Sequence, residues 1–361
     1  MQLGALPVNF ELGKQNMSIE YRRLGNSGAI VTKFCLGTMT FGAEADEAMS
    51  HTLLDEYAAA GGNFIDTADV YSRGASEEII GRWLKSHPTE GAQMIVATKA
   101  RFPMGSGPND LGISRKHLGH ALDASLKRLG IERIDLYQMH GWDALTPIEE
   151  TLRFLNDAIT AGKIAYYGFS NFLGWHVAKA SELARANGWA RPVTLQPQYS
   201  LLVRGIEAEI VDACRDAGMG LLPWSPLGGG WLSGKYQRNA VPTGATRLGE
   251  NPERGMEAYG PRNEQTRTWR VLDAVQTVAK ARGRSMAQVA LAWLTQQPAV
   301  TSVILGARTC EQLADNLAAA SLELTHEELV SLNVASAPEL EDYPYGIGGI
   351  NQRRRKIEGG R

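Results

Sequence analysis

Cysteine is scarce in this chain: three in 361 residues, at positions 35, 214 and 310. An odd number, widely spaced and with no C-x-x-C pair, argues against a disulfide framework and against a thiolate zinc site, and suits a reducing compartment. Long apolar runs are missing as well. No stretch approaches the roughly 18 residues needed to cross a bilayer. The first twenty residues lack the basic start and apolar stretch of a secretory signal. The expected location is therefore the cytoplasm, with no membrane partner. Charge of one sign is also lacking: 37 Lys and Arg face 39 Asp and Glu, a net charge of −2. Such a balance provides no field for nucleic acid, which leaves small molecules as the expected partners. No G-x-G-x-x-G follows an early strand, so a Rossmann-type cofactor site is not expected.

What is present is a large apolar fraction, 43% of the residues, arranged in a repeating pattern. Residues 21 to 32 read as two short strands around Asn26-Ser27-Gly28, a hairpin. From Lys33 onward eight short apolar runs alternate with longer amphipathic segments. The runs are 33 to 38, 63 to 68, 94 to 99, 134 to 140, 164 to 170, 193 to 200, 220 to 226 and 301 to 307. Helices are predicted near 46 to 60, 76 to 86, 114 to 129, 147 to 161, 173 to 187, 205 to 217, 263 to 282 and 285 to 297. Eight βα repeats predict an α/β fold, a closed (β/α)8 TIM barrel with an N-terminal hairpin, in one domain over 19 to 337. Residues 1 to 18 read as an extension and 338 to 361 as a tail, its basic run from Arg353 to Lys356 merely solvated. A Gly/Pro-rich stretch from Gly228 to Pro261 follows the seventh run, on the face where barrels build sites.

Asp66, Tyr71, Lys99 and His140 fall at or just past the ends of the second, third and fourth runs. Barrel active sites gather there. The four are chemically complementary. A phenol ionises near pH 10 and becomes an effective proton donor when a neighbouring ammonium stabilises the phenolate it leaves behind. Lys99 supplies that charge, Asp66 steadies Lys99, and the imidazole of His140 aims a carbonyl at Tyr71. Taken singly each has a bland reading: Asp66 as a turn cap, Lys99 as a surface lysine, Tyr71 and His140 as packing residues. Their joint placement favours catalysis. Met39, Phe41 and Phe102 also follow strand ends, and Trp142 and Trp231 lie near the rim. All five are expected to wall a substrate pocket with apolar surface. Trp175, Trp189, Trp269 and Trp293 read as core or packing residues.

Seven blocks in order, IDTADVY (65 to 71), ATK (97 to 99), DLYQMH (135 to 140), GKIAYYGFSN (162 to 171), QPQYS (196 to 200), PWSPLGGGWLSGK (223 to 235) and GARTCEQLADNL (306 to 317), make the chain resemble the aldo-keto reductases over about 19 to 335. The resemblance implies the same four catalytic residues, with Tyr71 as proton donor. It also implies contacts with a nicotinamide cofactor. Ser170, Asn171 and Gln196 would hold the carboxamide and Trp224 would stack on the ring. Ser225, Leu227, Gly229, Leu232, Gly234 and Lys235 would line a pyrophosphate channel. Gly37, Thr38, Met39 and Gly306 would border the cofactor. Arg308 resembles the cation that meets a 2′-phosphate, with Gln312 and Asn316 toward adenosine, so NADPH is expected in preference to NADH.

Two other motifs are weaker. His117 and His120 lie three apart on a predicted helix without a carboxylate cluster, and a solvated face is expected rather than a metal site. GGWLSGK (229 to 235) has phosphate-loop spacing, but Tyr236 stands where a Ser or Thr would bind magnesium. Phosphate contact fits; nucleotide hydrolysis does not. The expected activity is NADPH-dependent reduction of an aldehyde or ketone. The rivals are a cofactor-sensing subunit like the β-subunits of potassium channels, and a Schiff-base lyase using Lys99. The identity of the carbonyl substrate, the direction of reaction and the oligomeric state are written in no motif.

Overall fold

A computed structural model describes residues 19 to 339 and 342 to 353. The expected extension, and residues 340, 341 and 354 to 361 of the expected tail, lie outside the described residues.

The hairpin forms as expected. Strands β1 (Tyr21–Arg23) and β2 (Ile30–Thr32) pair antiparallel, and Ser27 Oγ donates to Leu24 O across the turn at 2.7 Å. Leu24 and Val31 are fully buried and share one cluster with Phe64, Ala97, Leu136 and Ile304, so the hairpin closes the N-terminal end of the barrel.

Eight parallel strands follow: β3 (Phe34–Gly37), β4 (Phe64–Asp66), β5 (Ile95–Ala100), β6 (Ile134–Met139), β7 (Ile164–Ser170), β8 (Thr194–Gln196), β9 (Gly220–Leu221) and β10 (Val303–Gly306). From β4 to β9 each pairs with its predecessor, and β10 pairs with β3. The remaining seam is closed by Leu221 N–H to Ala299 O, Thr301 N–H to Leu221 O and Ile304 N–H to Pro223 O at 2.7, 2.9 and 3.0 Å. The strands at 194 and 220 are shorter than their apolar runs. Pro197 and Pro223 have no N–H to give to a ladder, and Ser225 takes a left-handed φ of 52°.

Helices α1 (Glu47–Ala59), α2 (Ala75–Ser86), the single turn α3 (Pro88–Gly91), α4 (Arg115–Leu129), α5 (Ile148–Thr160), α6 (Gly174–Ala186) and α7 (Ile210–Ala217) pack outside the strands. Local chemistry sets their ends. Asp46 and Ser114 accept from the N–H groups of Met49 and His117, and Gly130 closes α4 in the left-handed conformation. The long segment after β9 is more ordered than its composition predicts. It contains a tight turn over 228 to 233 and the short helices α8 (Arg247–Glu250) and α9 (Tyr259–Glu264). Helices α10 (Thr266–Arg282) and α11 (Met286–Thr295) precede β10. After it come α12 (Cys310–Leu317), α13 (His326–Ser336) and α14 (Ile347–Arg353). Helix α13 was not expected from periodicity. A Thr325–Glu328 capping box starts it, and Asn333 Oδ1 accepts from Trp293 Nε1 at 2.9 Å.

Two expectations about single residues change. His117 faces inward and is buried, not solvated, whereas His120 is exposed. Trp175, expected to pack in the core, is 52% exposed at the rim, edge-on to Trp142.

Candidate active site

The C-terminal ends of the strands open into a cleft of about 1030 Å³. Asp66 ends β4, Lys99 lies near the end of β5, and His140 follows β6, so three adjacent strands bring them together. Tyr71 reaches the same point from the turn after β4, a turn carrying left-handed Ser72 and Arg73. Lys99 lies beneath the cleft, fully buried. Its Nζ donates to Asp66 Oδ2 at 2.6 Å, to Thr67 O at 2.8 Å and to Tyr71 Oη at 3.3 Å. The rings of Tyr71 and His140 stand edge-on, 5.9 Å apart.

These contacts decide where the protons sit. Burial works against the Lys99 charge, but Asp66 and Tyr71 outweigh it and hold the ammonium above its ordinary pKa. Burial pushes the Tyr71 phenol up, and Lys99 opposes that rise. Burial, Lys99 and Arg101 together hold His140 well below its usual value. Near neutral pH the site therefore contains a charged lysine, a protonated phenol and a neutral imidazole.

A second network joins these groups to the polar strand ends. Gln196 Nε2 and Gln138 Nε2 both donate to Asp66 Oδ1, at 2.8 and 3.2 Å. Asp66, Gln138 and Gln196 come from β4, β6 and β8, alternate strands that share one layer of a barrel interior. Gly168 on β7 makes room beside that layer, because a Cβ there would meet Thr194 Oγ1 at 2.1 Å. Ser170 Oγ donates to Gln196 O at 2.9 Å, Asn171 Nδ2 donates to His140 O at 3.1 Å, and Trp224 Nε1 donates to Asn171 Oδ1 at 3.1 Å. Asn171 and Ser225 both carry positive φ, the kind of local strain that collects at functional sites.

Toward the other end the cleft turns cationic, with Lys235, Arg247 and Arg308 on its walls. Arg308 bridges two acids, Glu250 at 2.8 Å and Glu44 at 3.4 Å, and Glu44 also takes Arg254 at 2.7 Å. Glu250 lies on α8 and Arg254 just after it, so these pairs pin the long segment against the loop after β3. Gly230 sits on the wall with φ of 98°, where a Cβ would meet Lys235 Cε at 2.6 Å. A row of exposed backbone, polar strand ends at one end and guanidinium and ammonium groups at the other suit an elongated dinucleotide with phosphates in its middle and tail.

Most of the expected contacts border this cleft: Gly37, Thr38, Met39, Ser170, Asn171, Gln196, Trp224, Ser225, Leu227, Gly229, Lys235, Gly306, Arg308, Gln312 and Asn316, together with Phe102 and Trp142. Four do not. Phe41 and Leu232 are buried in the core. Trp231 is also buried, stacked on Tyr259 and donating from Nε1 to Glu257 O at 3.0 Å. Gly234 is exposed outside the lining, where it ends the 228–233 turn. A position just after a strand does not say which way a side chain turns, and that is how Phe41 and Trp231 were misplaced. Arg101, Glu44, Arg247 and Met256 line the cleft without having been expected there. For Arg101 a signal existed: it directly follows the end of β5, two residues beyond Lys99 in the alternation of a strand. Glu44 lies in a loop, and Arg247 and Met256 lie in single turns of helix too short to carry a period.

No group of three or more His, Cys, Asp or Glu suited to a metal ion occurs among the described residues, and no described helix is long and apolar enough to cross a membrane.

The sequence profile of the aldo/keto reductase family matches residues 33–336. An uncharacterised oxidoreductase, YrpG, of Bacillus subtilis is 37% identical over 87% of this chain and 95% of its own length. Versiconal hemiacetal acetate reductase of Aspergillus parasiticus is 33% identical, covering 89% and 98%. A probable voltage-gated potassium channel subunit beta of rice is 36% identical, covering 83% and 91%.

Proposed function

The chain belongs to the aldo/keto reductase family, and from that premise we propose that it reduces an aldehyde or ketone to the alcohol with NADPH, Tyr71 giving the proton. One observation carries this reading: Lys99 Nζ stands between Asp66 Oδ2 at 2.6 Å and Tyr71 Oη at 3.3 Å, sealed from water.

When bound, NADPH supplies the hydride that adds to the carbonyl carbon. The oxygen gains negative charge as that bond forms, and Tyr71 transfers its phenolic proton to it. The phenolate left behind is stabilised by the Lys99 ammonium. Asp66 keeps Lys99 charged and in place. His140, neutral and therefore no competing acid, orients the carbonyl oxygen toward Tyr71 by hydrogen bonding. Ser170, Asn171 and Gln196 would hold the carboxamide, Trp224 the ring face, and Lys235, Arg247 and Arg308 the phosphates. The preference for NADPH over NADH rests on Arg308 and its fit to a 2′-phosphate. The cytoplasm suits three unpaired cysteines, two of them buried.

Loss of NADPH absorbance with a panel of aldehydes and ketones tests the proposal. Turnover of at least one carbonyl is expected; cofactor binding with no turnover of any would contradict it. That second outcome would favour a cofactor-sensing role, a reading supported by the rice relative named as a channel subunit. A lyase through Lys99 is disfavoured, because a lysine kept charged by Asp66 is a poor nucleophile.

A further inference from the structure

Cations on the cleft wall divide into two groups. Lys235 and Arg247 both sit close enough to Arg308 to feel its charge, Glu44 acts on Arg247 and Arg308, and Glu250 pairs with Arg308. Arg101 stands apart from them, at the reactive end. Its charge reaches His140, and its guanidinium carbon lies 5.0 Å from the ring of Phe102, itself 4.7 Å from the His140 ring.

Among the described residues Arg101 pairs with no carboxylate. Its side chain makes no ion pair within 4.0 Å and no hydrogen bond among the described residues, and its Nε is sealed from solvent. The acid that feels it, Asp143, is already engaged by Thr146 Oγ1 at 2.6 Å and by the backbone N–H groups of Leu145 and Ile113 at 3.0 and 3.2 Å. The contact with Phe102 does not satisfy it either. A guanidinium over an aromatic ring offers its face and keeps its N–H donors, which lie in its own plane, free. A half-buried guanidinium with idle donors is costly unless something arrives to use them.

We propose that Arg101 anchors an anionic group of the substrate, and that the carbonyl compound reduced in this cleft carries a carboxylate on a flat apolar body. The proposal rests on the reductase reading of the cleft. A carboxylate fits one planar guanidinium through two parallel hydrogen bonds, whereas the phosphate-sized anion sites of this cleft gather several cations. The flat body follows from the walls beside Arg101. Phe102 presents its ring next to His140, and Trp142 is held rigid by stacking on His176 at 3.9 Å and by edge contacts with Phe172 and Trp175 at 5.3 Å. Lys99 lies on β5 and Arg101 directly follows the strand's last residue, Ala100, so the anion anchor stands two residues along the chain from the proton-donor machinery.

The test compares kcat/KM with NADPH for 4-carboxybenzaldehyde and for its neutral methyl ester, in the wild type and in Arg101→Met and Arg101→Lys. Charge-assisted hydrogen bonds of this kind correspond to about a ten- to hundredfold preference. The acid-to-ester ratio should be about ten or more in the wild type, close to one in Arg101→Met, and intermediate in Arg101→Lys. A wild-type ratio of one or below, or a ratio that Arg101→Met does not move, overturns the proposal. Calorimetric binding of benzoate to the protein, with and without NADP+, gives a second readout that needs no turnover. Binding weakened about tenfold or more by Arg101→Met supports the anchor, and binding unmoved by it contradicts the anchor. Anion binding that depends on Arg101 in a protein that turns over no carbonyl of the aldehyde and ketone panel would sink the reductase reading and leave the anion site standing.

Discussion

Gln196 Nε2 donates to Oδ1 of Asp66 at 2.8 Å, while Oδ2 of the same carboxylate takes Lys99. One amide thus joins the expected seat of the carboxamide to the group that steadies the proton donor. Gln138 supports the same oxygen from a strand that does not line the cleft.

The two glutamines should separate in their effects. Gln196→Leu is expected to weaken NADPH binding and to slow hydride transfer together. Gln138→Leu should slow hydride transfer, by about tenfold for the loss of one charged hydrogen bond, while moving the NADPH Kd less than about twofold. Fluorescence titration and single-turnover kinetics read the two quantities. A Gln138→Leu variant with altered cofactor affinity and unchanged hydride transfer would contradict the account.

Arg308 pairs with both Glu44 and Glu250. Arg308→Ala should weaken NADPH by more than about tenfold and leave NADH nearly unaffected. Removing a competing carboxylate should do the opposite. Partly exposed pairs contribute about 0 to 1 kcal/mol, so Glu250→Gln should tighten NADPH up to about fivefold. Equal losses for both cofactors in Arg308→Ala would show that the 2′-phosphate is recognised elsewhere.

Asp69, two residues before Tyr71, is fully buried with neither carboxylate oxygen hydrogen-bonded. Burial, followed by the nearby Glu77, raises its pKa to about 7 from an ordinary 3.8. The folded protein therefore holds a proton there that the unfolded chain releases. Stability from this group is full below the unfolded pKa and is lost as the pH rises toward 7, beyond which the penalty is constant. Three pKa units bound that loss at about 4 kcal/mol. Asp69→Asn removes the titration, so its urea midpoint should hold steadier than the wild type's between pH 5 and pH 8. Parallel pH profiles for the two proteins would show that Asp69 is not the titrating group.

Strand ends were readable in the sequence because polar residues interrupt apolar runs there, and Asp66, Lys99, His140, Ser170 and Gln196 all stand at such interruptions. Side-chain direction beyond a strand was not readable. Phe41 and Trp231 turned into the core, where apolar surface is favoured, while Met39, one residue past Thr38, remained 44% exposed at the mouth. The ion pairs of Glu44, Glu250 and Arg254 were invisible for another reason. They join segments far apart in the chain, Arg308 with Glu250 across 58 residues and with Glu44 across 264, and no local pattern encodes such a meeting.

The most direct measurement is single-turnover NADPH oxidation with a reactive aldehyde, wild type against Tyr71→Phe, alongside NADPH affinity for both. Tyr71→Phe should bind NADPH within about twofold of the wild type and lose at least about a hundredfold in hydride transfer, the range for removing a general acid. Equal rates in the two proteins would remove Tyr71 from the chemistry and with it the proposed mechanism.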